Sequence, residues 1–174
     1  MSTKKVVFDL ENYKTNDVIP GYTKMVTEAT LTYRQVETNI EFPIVSSFKN
    51  GSNAALFIRK WYEQNGMSIS DVEYFGSLLL NRANKLIAVV PVSKGGITGT
   101  VADPRIILGS AIILRASAII LFHNHPSGNL SPSEQDNALT RRLKEAGAMH
   151  EIYVLDHIIL TESGHYSFAD EGKL

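Results

Sequence analysis

Five consecutive apolar residues, Ala118-Ile119-Ile120-Leu121-Phe122, stand between a helix-ending pattern and a polar loop. So short and uniform an apolar run reads as a central strand covered on both faces, not as an amphipathic helix or a half-exposed strand. Such a strand needs layers above and below it, and the neighbouring sequence supplies them. Asp103 is a helix N-cap with Pro104 at the first helical position, opening a helix through about Ala116. Beyond the loop Asn124–Leu130, Ser131 reads as an N-cap with Pro132 at N1 and Glu134 at N3. That helix is expected to run to Ala146, with Gly147 as its stop.

The rest of the chain follows the same alternation. Ser52 opens an amphipathic helix that stops at Asn65-Gly66. Phe75–Leu80 and Leu86–Val90, joined across Asn81-Arg82-Ala83-Asn84, predict a β-hairpin with one buried strand. Pro91–Thr100 predicts a loop or a second hairpin. Its glycines resemble a phosphate-cradling loop only in number, because no Gly-Lys-Ser/Thr ending follows. Ile152–Leu155 and Ile158–Leu160 read as two strands, and Tyr166–Phe168 closes the chain. The fold class is therefore α/β, a layered domain over residues 45–174. Residues 1–44 form an N-terminal extension: a polar arm over 1–20, then one or two partly exposed strands within 24–42.

Composition narrows the chemistry. The 174 residues are enough to bury a core of their own, and the formal net charge of −1 is no footprint for tight nucleic-acid binding. There is no cysteine, which excludes disulfides, thiolate zinc sites, iron–sulfur ligation and a cysteine nucleophile. Any metal has to be held by His, Asp or Glu. The first apolar run is too short for a signal-peptide core, and Ile106–Phe122, interrupted by Arg115, falls short of the ~20 residues of a membrane span. A cytoplasmic protein without a membrane partner is the expectation.

One cluster of residues answers to those limits. His123 and His125 follow the apolar strand directly, and residues two apart in extended backbone face the same side. Asp136 lies in the first turns of the next helix, three residues after Ser133 and on its face. Two imidazoles and a carboxylate make three protein ligands and leave a tetrahedral position open, as in a catalytic zinc site. Iron, cobalt or manganese suit the same donors.

The spacing His123-x-His125-Pro126, six residues, Ser133, two residues, Asp136 resembles the JAMM (MPN+/JAB) metallopeptidase motif at every fixed position. The wider context, His-Asn-His-Pro-Ser-Gly with Leu155-Asp156-His157-Ile158 downstream, is similar to the bacterial RadC branch over roughly residues 44–172. The resemblance implies a JAB/MPN-like core, related to the cytidine-deaminase fold, with a mixed sheet flanked by helices. It implies one Zn2+ per chain on His123, His125 and Asp136, and cleavage of a peptide or isopeptide bond by metal-activated water. It further implies an upstream acid as general base. Of Glu63, Asp71, Glu73 and Asp103, the position matching RadC-like sequences is Glu73, at the head of the Tyr74–Leu80 strand. Ser133 is then the donor to the tetrahedral oxyanion.

Other readings follow from the same residues. The RadC type is traditionally associated with DNA repair, so a nucleic-acid module or a protein-interaction domain without turnover is the alternative. Deaminase chemistry is closed, because its Pro-Cys-x-x-Cys ligands are missing. Asp156-His157 reads as a buried structural pair or as support for a metal ligand. His150 and His165 read as surface residues, and Arg141, Arg142 and Lys144 as a solvated basic helix face.

Overall fold

The computed structural model describes residues 4–6, 31–33, 48, 50–95 and 101–174. The chain divides into two units, Met1–Asn39 and Ile40–Leu174. In the first, β1 (Lys4–Val6) and β2 (Leu31–Tyr33) pair antiparallel, with Lys4 opposite Tyr33 and Val6 opposite Leu31. One strand thus falls within the expected arm and one within 24–42; the remainder of both segments lies outside the described residues.

The second unit carries α1 (Gly51–Gln64), β3 (Tyr74–Leu80), β4 (Leu86–Lys94), α2 (Pro104–Ile113), β5 (Ala118–Asn124), α3 (Glu134–Ala148), β6 (Tyr153–Leu160) and β7 (His165–Ser167). Five strands form one sheet in the order β4-β3-β5-β6-β7. The β5–β6 pairing is parallel and the other three are antiparallel, so the sheet is mixed and the α/β expectation holds. Every residue of β5 is buried, as its apolar run requires.

Alternation along β5 separates two apolar layers. Ile120 and Phe122 join Leu78, Leu80, Ile158 and Leu160 beneath Ala54, Ile58 and Tyr62 of α1. Ile119 and Leu121 join Phe75, Leu79 and Val154 against Ile107 and Ala111 of α2 and Leu143 of α3. Each layer carries several wholly buried side chains, worth ~1.5–3 kcal/mol apiece in transfer free energy before the entropy of ordering them is set against it.

Several element ends differ from the sequence reading. The α1 N-cap is Asn50, whose side chain accepts from the Asn53 amide, rather than a start at Ser52. Strand β4 continues to Lys94 through Pro91, which an edge strand tolerates because its outward N–H positions have no partner to lose. Residues 96–100 of the expected loop lie outside the described residues. Helix α2 does start on the Asp103 cap but stops at Ile113, where Arg115 takes a positive φ of 54°. Gly147 is not a helix stop. It is buried within α3, and a Cβ there would collide with the carbonyl oxygen of Ile152, the residue before β6, so the close return of the chain explains this glycine.

The largest difference concerns β6. The expected pair of strands is a single strand, and Asp156-His157 lies in its middle. The register against β5 slips by one residue: Ile119 faces Val154, while Ile120 faces Asp156 and Leu121 faces His157. The extra residue, Leu155, is a bulge that reverses the facing of everything after it. Asp156 therefore shares the α1 side with Ile120, and His157 shares the α2–α3 side with Leu121.

Candidate metal centre

His123 is the last α2–α3-facing residue of β5 and is wholly buried. Its ring stacks on Phe75 at 5.6 Å and 12° and lies 4.8 Å from the His157 ring, which itself stacks on Phe168 at 4.9 Å. Two phenyl rings thus keep water from the backs of both imidazoles. His125, just past the strand and half-buried, turns toward the same point, with its Nε2 2.9 Å from His123 Nε2. The Gly128 amide donates to the His125 carbonyl, and Gly128 takes a φ of 78°, the left-handed conformation that glycine adopts without strain.

Helix α3 brings in the carboxylate. Its N-cap is Ser133, not Ser131, and the capping box pairs Ser133 with Asp136 rather than with Glu134. Both Ser-x-x-acid offsets carry the local signal. Residues up to Ser131 are instead spent on the return loop, where Asn129 Oδ1 accepts from the Ser131 amide. In the box, Ser133 Oγ accepts from the Asp136 amide, while Asp136 Oδ2 accepts from the Ser133 amide at 2.7 Å and its hydroxyl at 2.6 Å. Asp136 Oδ1 then faces His123 Nε2 at 3.2 Å, and Oδ2 lies 3.7 Å from His125 Nε2. Burial opposes ionisation of Asp136, but His123 and both Ser133 donors outweigh it and hold the carboxyl well below the usual range.

Donor chemistry tests whether a cation fits here. His125 Nδ1 lies 2.6 Å from the Asn129 carbonyl oxygen, which only accepts, so Nδ1 carries the proton. In neutral His125 the Nε2 is then a bare acceptor facing a carboxylate. A cation between them satisfies both, so the residues fit a metal ion. Ligand atoms of His123, Asp136 and His157 also lie within 4.8 Å of one another.

Three buried residues complete the surroundings, and the sequence reading had singled out only His157 among them. His157 Nε2 lies 2.9 Å from His123 Nδ1, and its Nδ1 lies 2.7 Å from Thr140 Oγ1. Burial, with His123 beside it, pushes its pKa well below the ordinary imidazole value. Thr140 was legible in principle, standing four residues after Asp136 on the same face of α3. Asn124 alternates to the other face of the sheet. Its Oδ1 accepts from the Tyr74 amide and the Tyr62 hydroxyl, and its Nδ2 donates to the Ile69 and Val72 carbonyls. Burial pushes the Tyr62 hydroxyl pKa up, with Tyr74 and Glu73 adding to it, so that hydroxyl stays a donor.

The Asn124 bonds fasten the segment that carries Glu73. Glu73 is half-buried directly before β3, and its carbonyl accepts from the Gly95 amide at 2.8 Å. Phe75 pairs with His123, so Glu73, two residues earlier, arrives at the end of β5 where His125 lies. Of the other acids, Glu63 and Asp71 are exposed, and Asp103 is engaged by Arg105, which lowers its carboxyl to about 2. Asp156 and His157 do not pair through their side chains. Asp156 accepts from the His157 and Ala169 amides and the Ser167 hydroxyl, a structural role, and burial raises its pKa. His150, Arg141, Arg142 and Lys144 are exposed as expected, whereas His165 is half-buried in β7.

Among the described residues, no helix is long and apolar enough to cross a membrane. A family model for the RadC-like JAB domain matches residues 52–173. A UPF0758 protein of Flavobacterium johnsoniae is 46% identical over 100 residues, covering 58% of this chain and 44% of the relative. A UPF0758 protein of Porphyromonas gingivalis is 49% identical over 98 residues, with 56% and 43% covered. Another, from Geotalea uraniireducens, is 43% identical over 102 residues, with 59% and 45% covered. The chain spans less than half the length of these curated relatives. The family match takes in every residue of the His/Asp cluster, and the chain belongs to the RadC-like JAB domain family.

Proposed function

We propose that this chain is a zinc-dependent hydrolase of peptide or isopeptide bonds, with His123, His125 and Asp136 holding one Zn2+. The observation that carries the reading is the convergence of His123 Nε2, His125 Nε2 and the Asp136 carboxylate at 2.9–3.7 Å, with His125 Nδ1 turned away to the Asn129 carbonyl. Bound there, zinc supplies Lewis acidity toward a carbonyl oxygen and toward water.

The remaining chemistry belongs to the chain's own residues. Glu73 takes the proton of the attacking water and returns it to the leaving amine. The Ser133 hydroxyl donates to the tetrahedral oxyanion. At rest the Ser133 hydroxyl donates to Asp136 Oδ2, so Ser133 rotates to free that donor while its amide keeps hold of the same oxygen. The rings of Phe75 and Phe168 keep the protein side of the centre dry, which strengthens each of these interactions. Near-zero net charge favours a peptide or protein substrate over a nucleic-acid partner.

Elemental analysis of the zinc-supplemented chain is expected to give about one zinc per chain, lost in His123→Ala. Glu73→Gln is expected to keep the zinc and to lose turnover of a fluorogenic peptide or isopeptide library. A native chain without stoichiometric metal overturns the reading, and an active Glu73→Gln removes Glu73 from it.

A further inference from the structure

Thr140 stands one turn after Asp136 in α3 and is buried. Its Oγ1 lies 2.6 Å from the Asp136 carbonyl oxygen and 2.7 Å from His157 Nδ1. The carbonyl can only accept, so the single hydroxyl proton goes to it. His157 Nδ1 must then be the donor to Thr140. His157 is wholly buried with no carboxylate in hydrogen-bonding contact with its ring, so it carries that one ring proton and its Nε2 accepts. The facing atom, His123 Nδ1 at 2.9 Å, therefore carries a proton and donates. With Nδ1 turned to His157, the nitrogen that His123 presents to the cluster is Nε2, 2.9 Å from His125 Nε2 and 3.2 Å from Asp136 Oδ1, and in the neutral ring this atom carries the lone pair. The reverse direction, with His123 Nε2–H on Asp136, would leave Thr140 Oγ1 and the Asp136 carbonyl 2.6 Å apart without a proton between them.

We infer that Thr140 and His157 are positioning residues: the Thr140 hydroxyl, acting through the His157 ring, sets the tautomer of His123 and turns its Nε2 lone pair into the cluster. Helix α3 thus contributes twice, once through the Asp136 carboxylate and once through the proton order that prepares its imidazole partner on β5. A neighbouring imidazole, rather than the carboxylate or carbonyl that commonly orients a ligand histidine, passes on that order. The tautomer stands by itself; its consequence for zinc rests on the metal reading above.

Long-range 15N–1H correlation spectra of the metal-free, histidine-labelled chain test it directly. They are expected to show His123 protonated at Nδ1 and bare at Nε2. Thr140→Val is expected to lose that single tautomer and to bind zinc tenfold to a hundredfold more weakly in chelator competition. Thr140→Ser is expected to restore both. A merely structural Thr140 would shift the unfolding temperature without moving the tautomer. Wild-type His123 protonated at Nε2, or a Thr140→Val chain with unchanged tautomer and zinc affinity, overturns the inference. If Thr140→Val fails to fold, the wild-type spectrum and Thr140→Ser decide the matter. If no variant binds zinc, the metal reading fails while the tautomer still decides the relay.

Discussion

Two buried polar clusters lie back to back at the end of β5, one on each face of the sheet, and they differ in how their hydrogen bonds close. On the α1 side, Asn124 uses all four side-chain positions, accepting twice and donating twice. Nothing there calls for a further partner. On the α2–α3 side, His123, His125 and Asp136 are each held from behind, by His157, by the Asn129 carbonyl and by Ser133. Their front atoms, His123 Nε2, His125 Nε2 and the Asp136 carboxylate oxygens, converge on one another. Alternating residues of one strand supply both clusters, so burial alone does not separate them. A structural polar cluster satisfies itself, and a binding cluster is one whose supports are satisfied while its front is not.

The contrast can be broken from the closed side first. Asn124→Ala strands the Tyr74 amide and two carbonyls in the interior and leaves the Tyr62 hydroxyl only the Tyr74 carbonyl at 3.4 Å, and about 3 kcal/mol of stability is expected to be lost. Urea denaturation measures the loss, and zinc content is expected to stay at the wild-type level. Loss of zinc in a folded Asn124→Ala would show that the two faces are one unit.

From the open side, Ser133→Ala removes the α3 N-cap hydroxyl and one donor to Asp136 Oδ2 but keeps the backbone donor. Stability is expected to fall by about 1 kcal/mol, with zinc held more weakly but still bound, as isothermal titration would show. A cost near zero would mean that the backbone amide alone holds Asp136.

The smallest effect is expected at Asp156→Asn, within about 1 kcal/mol, since an amide can keep both backbone donors and turn its nitrogen toward Ser167 Oγ. Its pH dependence has a definite sign. Burial raises the Asp156 pKa, so the folded wild type keeps that proton to higher pH than the unfolded chain. The associated stability is full below the ordinary carboxylate range and is lost as pH rises through the raised value. The cost of Asp156→Asn is therefore expected to shrink as pH rises above about 4, measured as the difference in thermal midpoints. A cost that grows over that range would assign Asp156 to the open kind of cluster.

Most of the cluster is legible in the residues. A five-residue apolar run predicts a covered strand, alternation puts His123 and His125 on one side, and a Ser-x-x-Asp start brings a carboxylate within a helical turn. All of these are local rules of period two or four, and local rules survive folding. The helix start itself was ambiguous, because Ser131 and Ser133 offer the same capping signal. Only the return path of the loop, with His125 Nδ1 on the Asn129 carbonyl, settles it.

What periodicity could not supply is the direction of Asp156 and His157. Read alone, that pair marks a break between two strands; folded, it sits inside one strand just past a bulge at Leu155. The bulge is a property of the pairing between β5 and β6, strands separated in sequence by the whole of α3, and no local rule reports it. Without it, alternation would send His157 to the α1 side and Asp156 toward the face that carries His123. The sequence by itself determined which side chains have the chemistry to hold a metal. Long-range strand register decided which residue stands behind His123, because one inserted residue reverses every side chain that follows it.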